Sequence, residues 1–135
     1  MLKYNSYLKE IGVKKSAFPF KKELDRRYFD GKKTGIAEVE TWNLDMTLIM
    51  VLYSYLRRYK EVNNGFPARM TEKEWDDKLD DMIKGFEDYI KWSYDVDNEQ
   101  NSCTCDEYFT EEEKYRQGVN NSMVLLTEYL FDLGW

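Results

Sequence analysis

The sequence contains no histidine. This absence removes the imidazole base that activates serine and cysteine nucleophiles, and it removes the ligand that most zinc sites and the two-histidine iron sites require. The glycine-rich phosphate loops G-x-x-x-x-G-K-S/T and G-x-G-x-x-G are missing as well. We therefore expect a protein that is not an enzyme and that has no catalytic residues, metal site or cofactor.

Proline, glycine, cysteine and long apolar runs are also scarce. Two prolines and seven glycines in 135 residues disfavour a turn-rich β architecture. The two cysteines, Cys103 and Cys105, are too close in sequence to close a useful loop through a disulfide, and two thiols are too few for a tetrahedral metal site. No apolar run reaches the ~18 residues of a transmembrane helix and no leader-like segment begins the chain, so the sequence predicts a cytoplasmic protein without a membrane anchor.

Charge is abundant, and its sign changes along the chain. Residues 1–33 hold ten Lys or Arg against four Asp or Glu, whereas residues 34–135 hold ten against twenty-two, which gives the net charge of −6. With 42% hydrophobic residues, the chain is predicted to form a single domain with a core of its own. We interpret residues 1–33 as a basic N-terminal segment and residues 34–135 as an acidic helical body.

Apolar residues are densest between positions 42 and 62, where the pattern predicts the central helix of the fold. Asp45 falls in its first turn and Arg57 in its last, which suits the helix dipole, and Thr41 or Asn43 is the predicted N-cap. Both sides of this helix carry apolar residues, so both are expected to be buried. One side consists of Leu44, Leu48, Val51, Leu52, Tyr55, Tyr59 and Val62, and the other of Met46, Ile49, Met50, Tyr53 and Leu56.

Two capping boxes predict the other main helices. Thr71-Glu72-Lys73-Glu74, with Met70 and Trp75 as a hydrophobic staple, begins a helix over about 71–92. Its predicted inner face consists of Trp75, Leu79, Met82, Ile83, Phe86 and Ile90. A second box over 110–113 begins a helix over about 110–133, and residues 94–108 are predicted to be irregular. The apolar stripe of that last helix is Tyr115, Val119, Met123, Leu126, Leu130 and Leu133.

Weaker amphipathic patterns in the first third predict two short helices, over about 2–11 and 21–29, which end at Gly12 and Gly31. The predicted fold is therefore all-α. It is a bundle of three main helices, about 42–62, 71–92 and 110–133, with the short N-terminal helices packed around them.

Three short segments of this sequence resemble segments of a known group of proteins. They are the stretch from Thr34-Gly35-Ile36 to Glu40-Thr41-Trp42-Asn43-Leu44-Asp45, then Tyr59-Lys60-Glu61-Val62-Asn63, and Thr71-Glu72-Lys73-Glu74-Trp75-Asp76. Over residues 23–92 the chain resembles small bacteriophage-encoded proteins of unassigned function. The resemblance implies a phage gene expressed in a bacterial cytoplasm, and it transfers no catalytic residue.

Carboxylates are the remaining candidates for chemistry. Glu74, Asp77 and Asp81 lie on adjacent helical turns and could share Mg²⁺, as in a helical nucleotide hydrolase, but no second acidic pair on a facing helix is evident. A solvated helix face is the favoured interpretation. Residues 95–106 have oxygen-bearing side chains at the ligand spacing of a calcium loop, but they lack the glycine and the bidentate glutamate that such a loop requires. A plain hydrophilic loop is therefore the better interpretation of Asp95, Asp97, Glu99, Asn101 and Asp106.

The favoured functional hypothesis is a non-catalytic protein that binds and blocks a host macromolecule, such as a defence or nucleic-acid-processing factor. A row of carboxylates could occupy a basic groove that normally holds nucleic acid, whereas direct DNA binding by the acidic body is disfavoured because like charges repel. The proposed row consists of Glu72, Asp76, Asp77, Asp80, Asp81, Glu111, Glu112 and Glu113.

Two alternatives belong to other classes. The first is an oligomeric sponge for a nucleotide signal, in which aromatic rings meet the base and phosphates meet Lys14, Lys15, Lys21, Lys22, Arg26 and Arg27. The second is the Mg²⁺-dependent nucleotide hydrolase built on the helix-borne carboxylates.

Aromatic residues have two interpretations. Trp42, Trp75 and Trp92 could stack on nucleobases, but at helical spacing within apolar stripes they are more often core residues. The terminal Phe131, Leu133 and Trp135 suggest instead that this chain end docks on a partner or on a second copy, giving a homo-oligomer.

Overall fold

The computed structural model describes residues 5–14, 34, 36, 38–98 and 105–134. Within these ranges, four α-helices follow one another: α1 (Ser6–Glu10), α2 (Leu44–Val62), α3 (Glu72–Asn98) and α4 (Cys105–Glu128). Short 3₁₀ turns cover Glu38–Thr41 and Leu130–Leu133, and no strand occurs in these ranges. The predicted all-α bundle of three main helices with a short N-terminal helix is confirmed. The second short helix, predicted over 21–29, lies outside the described residues.

The helix at the centre of the bundle is α3, which packs against both α2 and α4. Every residue of its predicted inner face is buried, so that prediction is confirmed: Trp75, Leu79, Met82, Ile83, Phe86 and Ile90. The expectation that the 42–62 helix would be central is wrong. A helix can be central only if two neighbours cover it, and the continuous apolar face of α3 is wide enough for both.

Helix α2 buries one side only. Its buried positions are Thr47, Met50, Tyr53, Ser54 and Leu56, which face α3 and α1. On the other side, Leu44, Leu48 and Tyr55 are 49%, 51% and 74% exposed. The prediction that both apolar sides are buried is therefore wrong for Leu44, Leu48 and Tyr55, because no helix of the described part of the chain packs there. Leu52 and Tyr59 of the same predicted side are half-buried against the core.

Small residues bring α3 and α4 into close contact as antiparallel neighbours. A Cβ atom built on Gly85 would overlap the carbonyl oxygen of Gly118 and the hydroxyl oxygen of Ser122. Ser122 is 1% exposed, and its hydroxyl lies 3.5 Å from the Asp81 carbonyl oxygen to which it donates. The small-residue face of α4 therefore lies against α3.

This contact rotates α4 away from its predicted phase. Met123 and Leu130, which the sequence pattern places in the buried stripe, are 40% and 49% exposed. Leu126 is buried, and Tyr115, Val119 and Leu133 are half-buried. The predicted stripe is thus wrong at two positions. Met123 is exposed because the close approach at Gly118 favours small residues over large apolar ones, and Leu130 is exposed because it follows the end of α4, in a 3₁₀ turn.

The first capping box is confirmed. The Glu74 amide donates to the Thr71 hydroxyl at 3.1 Å, and the Thr71 amide donates to the Glu74 carboxylate at 3.4 Å. The helix then continues six residues beyond the predicted end at 92, to Asn98. Part of the stretch predicted to be irregular, 94–108, is therefore helical, at 94–98 and again from 105 onward.

The second capping box is wrong. Helix α4 begins five residues earlier, at Cys105, so Thr110 lies within it and its hydroxyl donates back to the Asp106 carbonyl at 2.9 Å. The earlier start is explained by packing, since the ring of Tyr108 lies 5.4 Å from that of Trp92 on α3. The last predicted turns are also not α-helical, because α4 ends at Glu128 and a 3₁₀ turn follows.

At the start of α2, Asn43 occupies the N-cap position, as predicted. Its side chain makes no capping hydrogen bond, however, and the Thr41 hydroxyl donates instead to the Glu38 carbonyl at 2.7 Å. The start of α2 therefore lacks the side-chain cap that the sequence predicts.

Helix α1 is held on α2 by polar contacts around a buried apolar pair, Leu8 and Val13. Asn5 caps α1 through the Leu8 amide at 3.0 Å and donates to the Ser54 hydroxyl at 3.1 Å. Arg57 donates to Glu10 at 3.0 Å and to the Tyr53 hydroxyl at 2.6 Å. Gly12, with φ +95°, ends the helix as the sequence predicts.

Burial raises the pKa of Tyr53, one of these contact residues, to about 12.

Within the ranges that the structure describes, no helix has the length and apolar character needed to cross a membrane.

Candidate functional site

The acidic character of α3 is concentrated in its first ten residues. Residues 72–81 carry six Asp or Glu against two Lys, whereas residues 82–91 carry two of each. Carboxylates in the first turn also complement the helix dipole, so Glu72 and Glu74 have a structural reason to be there. The aspartates further along, at 76, 77, 80 and 81, lie beyond this first turn and are better candidates for a binding surface.

These four aspartates point in two directions. Asp80 forms an ion pair with Lys60 of α2, and Asp76, one turn earlier on the same side, is half-buried. Asp77 and Asp81 are each one residue further around the helix, a rotation of about 100°. Both are exposed, and neither forms an ion pair within the described part of the chain. Asp77 and Asp81 are therefore the outward-facing half of the predicted row.

The glutamates at 111–113 do not extend this row. The Trp92 indole donates to the Glu111 carboxylate at 3.2 Å, which places Glu111 beside position 92 of α3. That position lies 15 residues beyond Asp77, or about 22 Å along the helix axis. Glu112 is paired with Arg116 at 2.7 Å, and Glu113 is exposed. The structure thus separates the eight predicted carboxylates into two groups.

Two cations close to the first group form ion pairs inside the molecule. Lys60 is paired with Asp80, and Arg69 donates through both terminal nitrogens to the Asp132 carboxylate. The second pair ties the loop before α3 to the C-terminal 3₁₀ turn. Asp77 and Asp81 form no ion pair within the described part of the chain, although Lys73, Lys78 and Lys84 lie within a turn of them on the same helix. We call the residues Glu72, Asp76, Asp77, Asp80 and Asp81 the acidic patch.

Most of the alternative nucleotide-binding residues lie outside the part of the chain that the structure describes. Lys14 is exposed, at the end of the segment that contains α1. The remaining five, Lys15, Lys21, Lys22, Arg26 and Arg27, lie outside the described residues.

The carboxylates considered for Mg²⁺ lie on the surface of one helix. Glu74 is engaged in the capping box, and Asp77 and Asp81 point outward. Across the described ranges, no group of three or more acidic or cysteine side chains is arranged to hold a metal ion.

The first two positions of the calcium-loop pattern are not in a loop, since residues 95 and 97 lie in the helical backbone of α3. Such a loop requires irregular backbone at these ligands. Glu99 and Asn101 lie outside the described residues, as does Cys103, while Cys105 is the first residue of α4.

Two of the three candidate tryptophans belong to packed clusters. Trp75 is 2% exposed and meets the ring of Tyr129 edge-on at 5.9 Å. Trp92 is 8% exposed and stacks on Tyr115 with ring centroids 5.3 Å apart. The core interpretation is confirmed for both. Trp42, at 45%, is exposed.

The C-terminal end has one strongly exposed ring. Phe131 is 94% exposed, Leu133 is half-buried, and Trp135 lies outside the described residues. Phe131 and Phe66 line opposite parts of a cleft between the loop after α2 and the C-terminal 3₁₀ turn.

One surface was missed by the sequence reasoning. The exposed side of α2 carries Leu44, Leu48, Val51 and Tyr55, and its signal was present in the sequence as an apolar stripe. The sequence predicts this stripe as core, because periodicity shows that residues share a side of a helix but does not show which side acquires a neighbour.

No family model matches the chain, and comparisons with the curated proteins and with the solved structures likewise gave no match.

Proposed function

We propose that this is a non-catalytic binding protein that uses its acidic patch to occupy a basic surface of a macromolecular partner. The observation that carries the proposal is the outward position of Asp77 and Asp81, which form no ion pair within the described part of the chain. With the phage resemblance, the partner is a host protein of the bacterial cytoplasm, such as a defence or nucleic-acid-processing factor. The binding of the patch would block the groove that normally holds nucleic acid.

The physical basis is electrostatic complementarity. Asp77 and Asp81 are fixed on a capped helix whose inner face is buried, so little order has to be gained on binding. Clustered charges of one sign raise the rate of encounter with an oppositely charged surface, and salt weakens this effect. The same charges repel nucleic acid, which supports a protein partner rather than DNA.

The experiment compares two charge-reversed proteins with equal net charge. Asp77→Lys with Asp81→Lys alters the patch, and Glu38→Lys with Asp106→Lys alters two exposed carboxylates elsewhere. Each protein is immobilised, and the proteins captured from a bacterial lysate are quantified at low and at raised salt.

We expect at least one basic protein to be captured by the parent and by the control, lost with the patch variant, and released by salt. Identical captured sets for all three proteins would contradict the proposal. Pairing of two copies through the C-terminal end around Phe131 is a competing hypothesis, and the sedimentation experiment below distinguishes it from pairing elsewhere on the molecule.

A further inference from the structure

The exposed side of α2 has the residue spacing of a helix-pairing seam. Leu44, Leu48, Val51 and Tyr55 follow one another at intervals of four, three and four residues, the alternating spacing of the two apolar positions in a heptad. Leu44, Leu48 and Tyr55 are 49%, 51% and 74% exposed, and Val51 is half-buried. We call these four residues the α2 seam.

The α2 seam is separate from the core and from the acidic patch. The opposite side of α2 packs on α3 through Met50, Tyr53 and Leu56. Asp45, the acidic neighbour of Leu44, lines the cleft with Tyr89 and Arg116 between α2, α3 and α4. No charged residue therefore lies on the seam between its first and last members, which makes it an uninterrupted apolar stripe in water.

We propose that the α2 seam binds the same seam of a second copy of this chain, with the two helices antiparallel. The next position in the repeat bears on the orientation, because it is occupied by the exposed Arg58, which forms an ion pair with Glu61 of the same helix at 3.1 Å. A parallel pair would place two Arg58 side chains opposite each other, and a solvent-exposed ion pair offsets such like-charge repulsion only weakly.

The antiparallel pair avoids this repulsion. It places Leu44 opposite the partner's Tyr55 and Leu48 opposite the partner's Val51, and two-fold symmetry repeats both contacts. The result is four apolar layers in which a larger side chain meets a smaller one, while Arg58 lies beyond the last layer. The seam is thus complementary to itself, which explains why a second copy is the occupant.

The small size of the interface and the net charge of the chain both favour weak association. Four layers of a helix pair fall at the lower limit of specific interfaces, roughly 1,000 Å² in total. Each copy also carries a net charge of −6, which opposes association at low salt. We therefore expect a reversible dimer with a dissociation constant on the order of 10–100 µM that tightens when salt is added.

The first experiment measures mass by sedimentation velocity over about 5 µM to about 1 mM of the full chain, a range that brackets this dissociation constant. Two variants, Leu48→Glu and Tyr55→Glu, place a charge on the seam. Two controls, Val124→Glu and Phe131→Glu, place it on apolar residues that are 65% and 94% exposed elsewhere. Circular dichroism checks the fold of each, and Tyr55→Glu, at the more exposed site, carries the test if Leu48→Glu unfolds.

We expect the parent and Val124→Glu to approach twice 16.3 kDa at the highest concentration, and both seam variants to bind at least tenfold more weakly. Phe131→Glu should behave as the parent does. A parent that stays at 16.3 kDa throughout would overturn the proposal. So would a dimer that Phe131→Glu abolishes and the seam variants leave intact, because the C-terminal end would then be the interface.

The second experiment tests the orientation by cysteine cross-linking. In a background of Cys103→Ser and Cys105→Ser, one protein carries Leu44→Cys and another carries Tyr55→Cys. An antiparallel pair brings position 44 to the partner's position 55, while two copies of position 44 lie about 16 Å apart along the axis. Under oxidation we expect a disulfide dimer only when the two proteins are mixed. Disulfides within each protein alone, or none in the mixture, would overturn the antiparallel pairing.

Discussion

At the scale of single residues, Gly85 determines how closely α3 and α4 approach. A Cβ at this position would overlap backbone and side-chain atoms of α4, whereas a Cβ at Gly118 would lie 3.8 Å from the Gly85 Cα, an ordinary contact. The two glycines face each other across one interface, but a Cβ atom fits only at Gly118.

We predict that Gly85→Ala lowers the free energy of unfolding by about 2 kcal/mol or more, because overpacking forces the helices apart. Gly118→Ala is the matched control. It should leave stability unchanged or raise it by up to ~1 kcal/mol, since alanine is the better helix former. Urea unfolding measures both values. A Gly85→Ala protein within ~0.5 kcal/mol of the parent would show that the helices are not in contact there.

Tyr53 connects the core to the contacts that hold α1. Its pKa is raised from 10.0 to about 12, first by burial and then by the Glu87 charge, against the lowering effect of Arg57. A group whose pKa is raised in the folded state contributes its full stability below the unfolded value and loses it as pH rises through the folded value. The loss from Tyr53 is therefore expected between pH 10 and about 12.

We predict that the free energy of unfolding of Tyr53→Phe falls less steeply over this pH interval than that of the parent. Tyr55→Phe, on the exposed side of the same helix, is the control and should follow the parent. Denaturant titrations at pH 9, 10, 11 and 12 measure the slopes. Equal slopes for the parent and Tyr53→Phe would contradict the assignment of the raised pKa to this tyrosine.

At the scale of the helix, α2 has two apolar sides with different roles. Met50 is fully buried against α3, whereas Leu48 is 51% exposed on the α2 seam. We predict that Met50→Asp costs more than ~3 kcal/mol of stability, since it buries an unpaired charge. Leu48→Asp should cost less than ~1 kcal/mol at concentrations where the chain is monomeric. Thermal melts of the two proteins at 5 µM distinguish them, and equal losses would mean that both sides are covered.

The two capping boxes show why some elements could be predicted from the sequence and others could not. Thr71 and Glu74 make both hydrogen bonds of the motif, while Thr110 bears the same local pattern within a continuous helix. The difference lies in tertiary packing, because Tyr108 packs on Trp92 and extends α4 upstream. A local motif records a preference of the backbone, and contacts between distant residues decide whether it is used.

The phase of α4 could not be predicted for a similar reason. Its apolar stripe predicts that Met123 faces inward, but the close contact between Gly85, Gly118 and Ser122 determines which side lies on α3. The significance of these small residues depends on a partner helix that the local sequence does not specify. The inner face of α3 was predictable because its stripe is continuous and bounded by charges.

At the scale of the whole molecule, the core and two surfaces differ in charge and packing. The buried face of α3 forms the core, the α2 seam lies on one side, and the acidic patch projects from the first half of α3. From the sequence, the carboxylates of the predicted row could be assigned to two helices, but the distance between the two groups could not be predicted. That distance depends on the antiparallel register of α3 and α4, which places Glu111 beside position 92 and far from Asp77. The patch that remains is smaller than predicted, and its outward charges are Asp77 and Asp81.

The central claim is that these two charges steer a basic partner onto the protein. The most direct measurement is the association rate of a captured partner with the parent and with Asp77→Lys/Asp81→Lys, at low and at raised salt. We predict association at least tenfold slower for the variant at low salt, a difference that shrinks as salt screens the charges, and stability within ~0.5 kcal/mol of the parent. Equal association rates with equal salt dependence would contradict the claim.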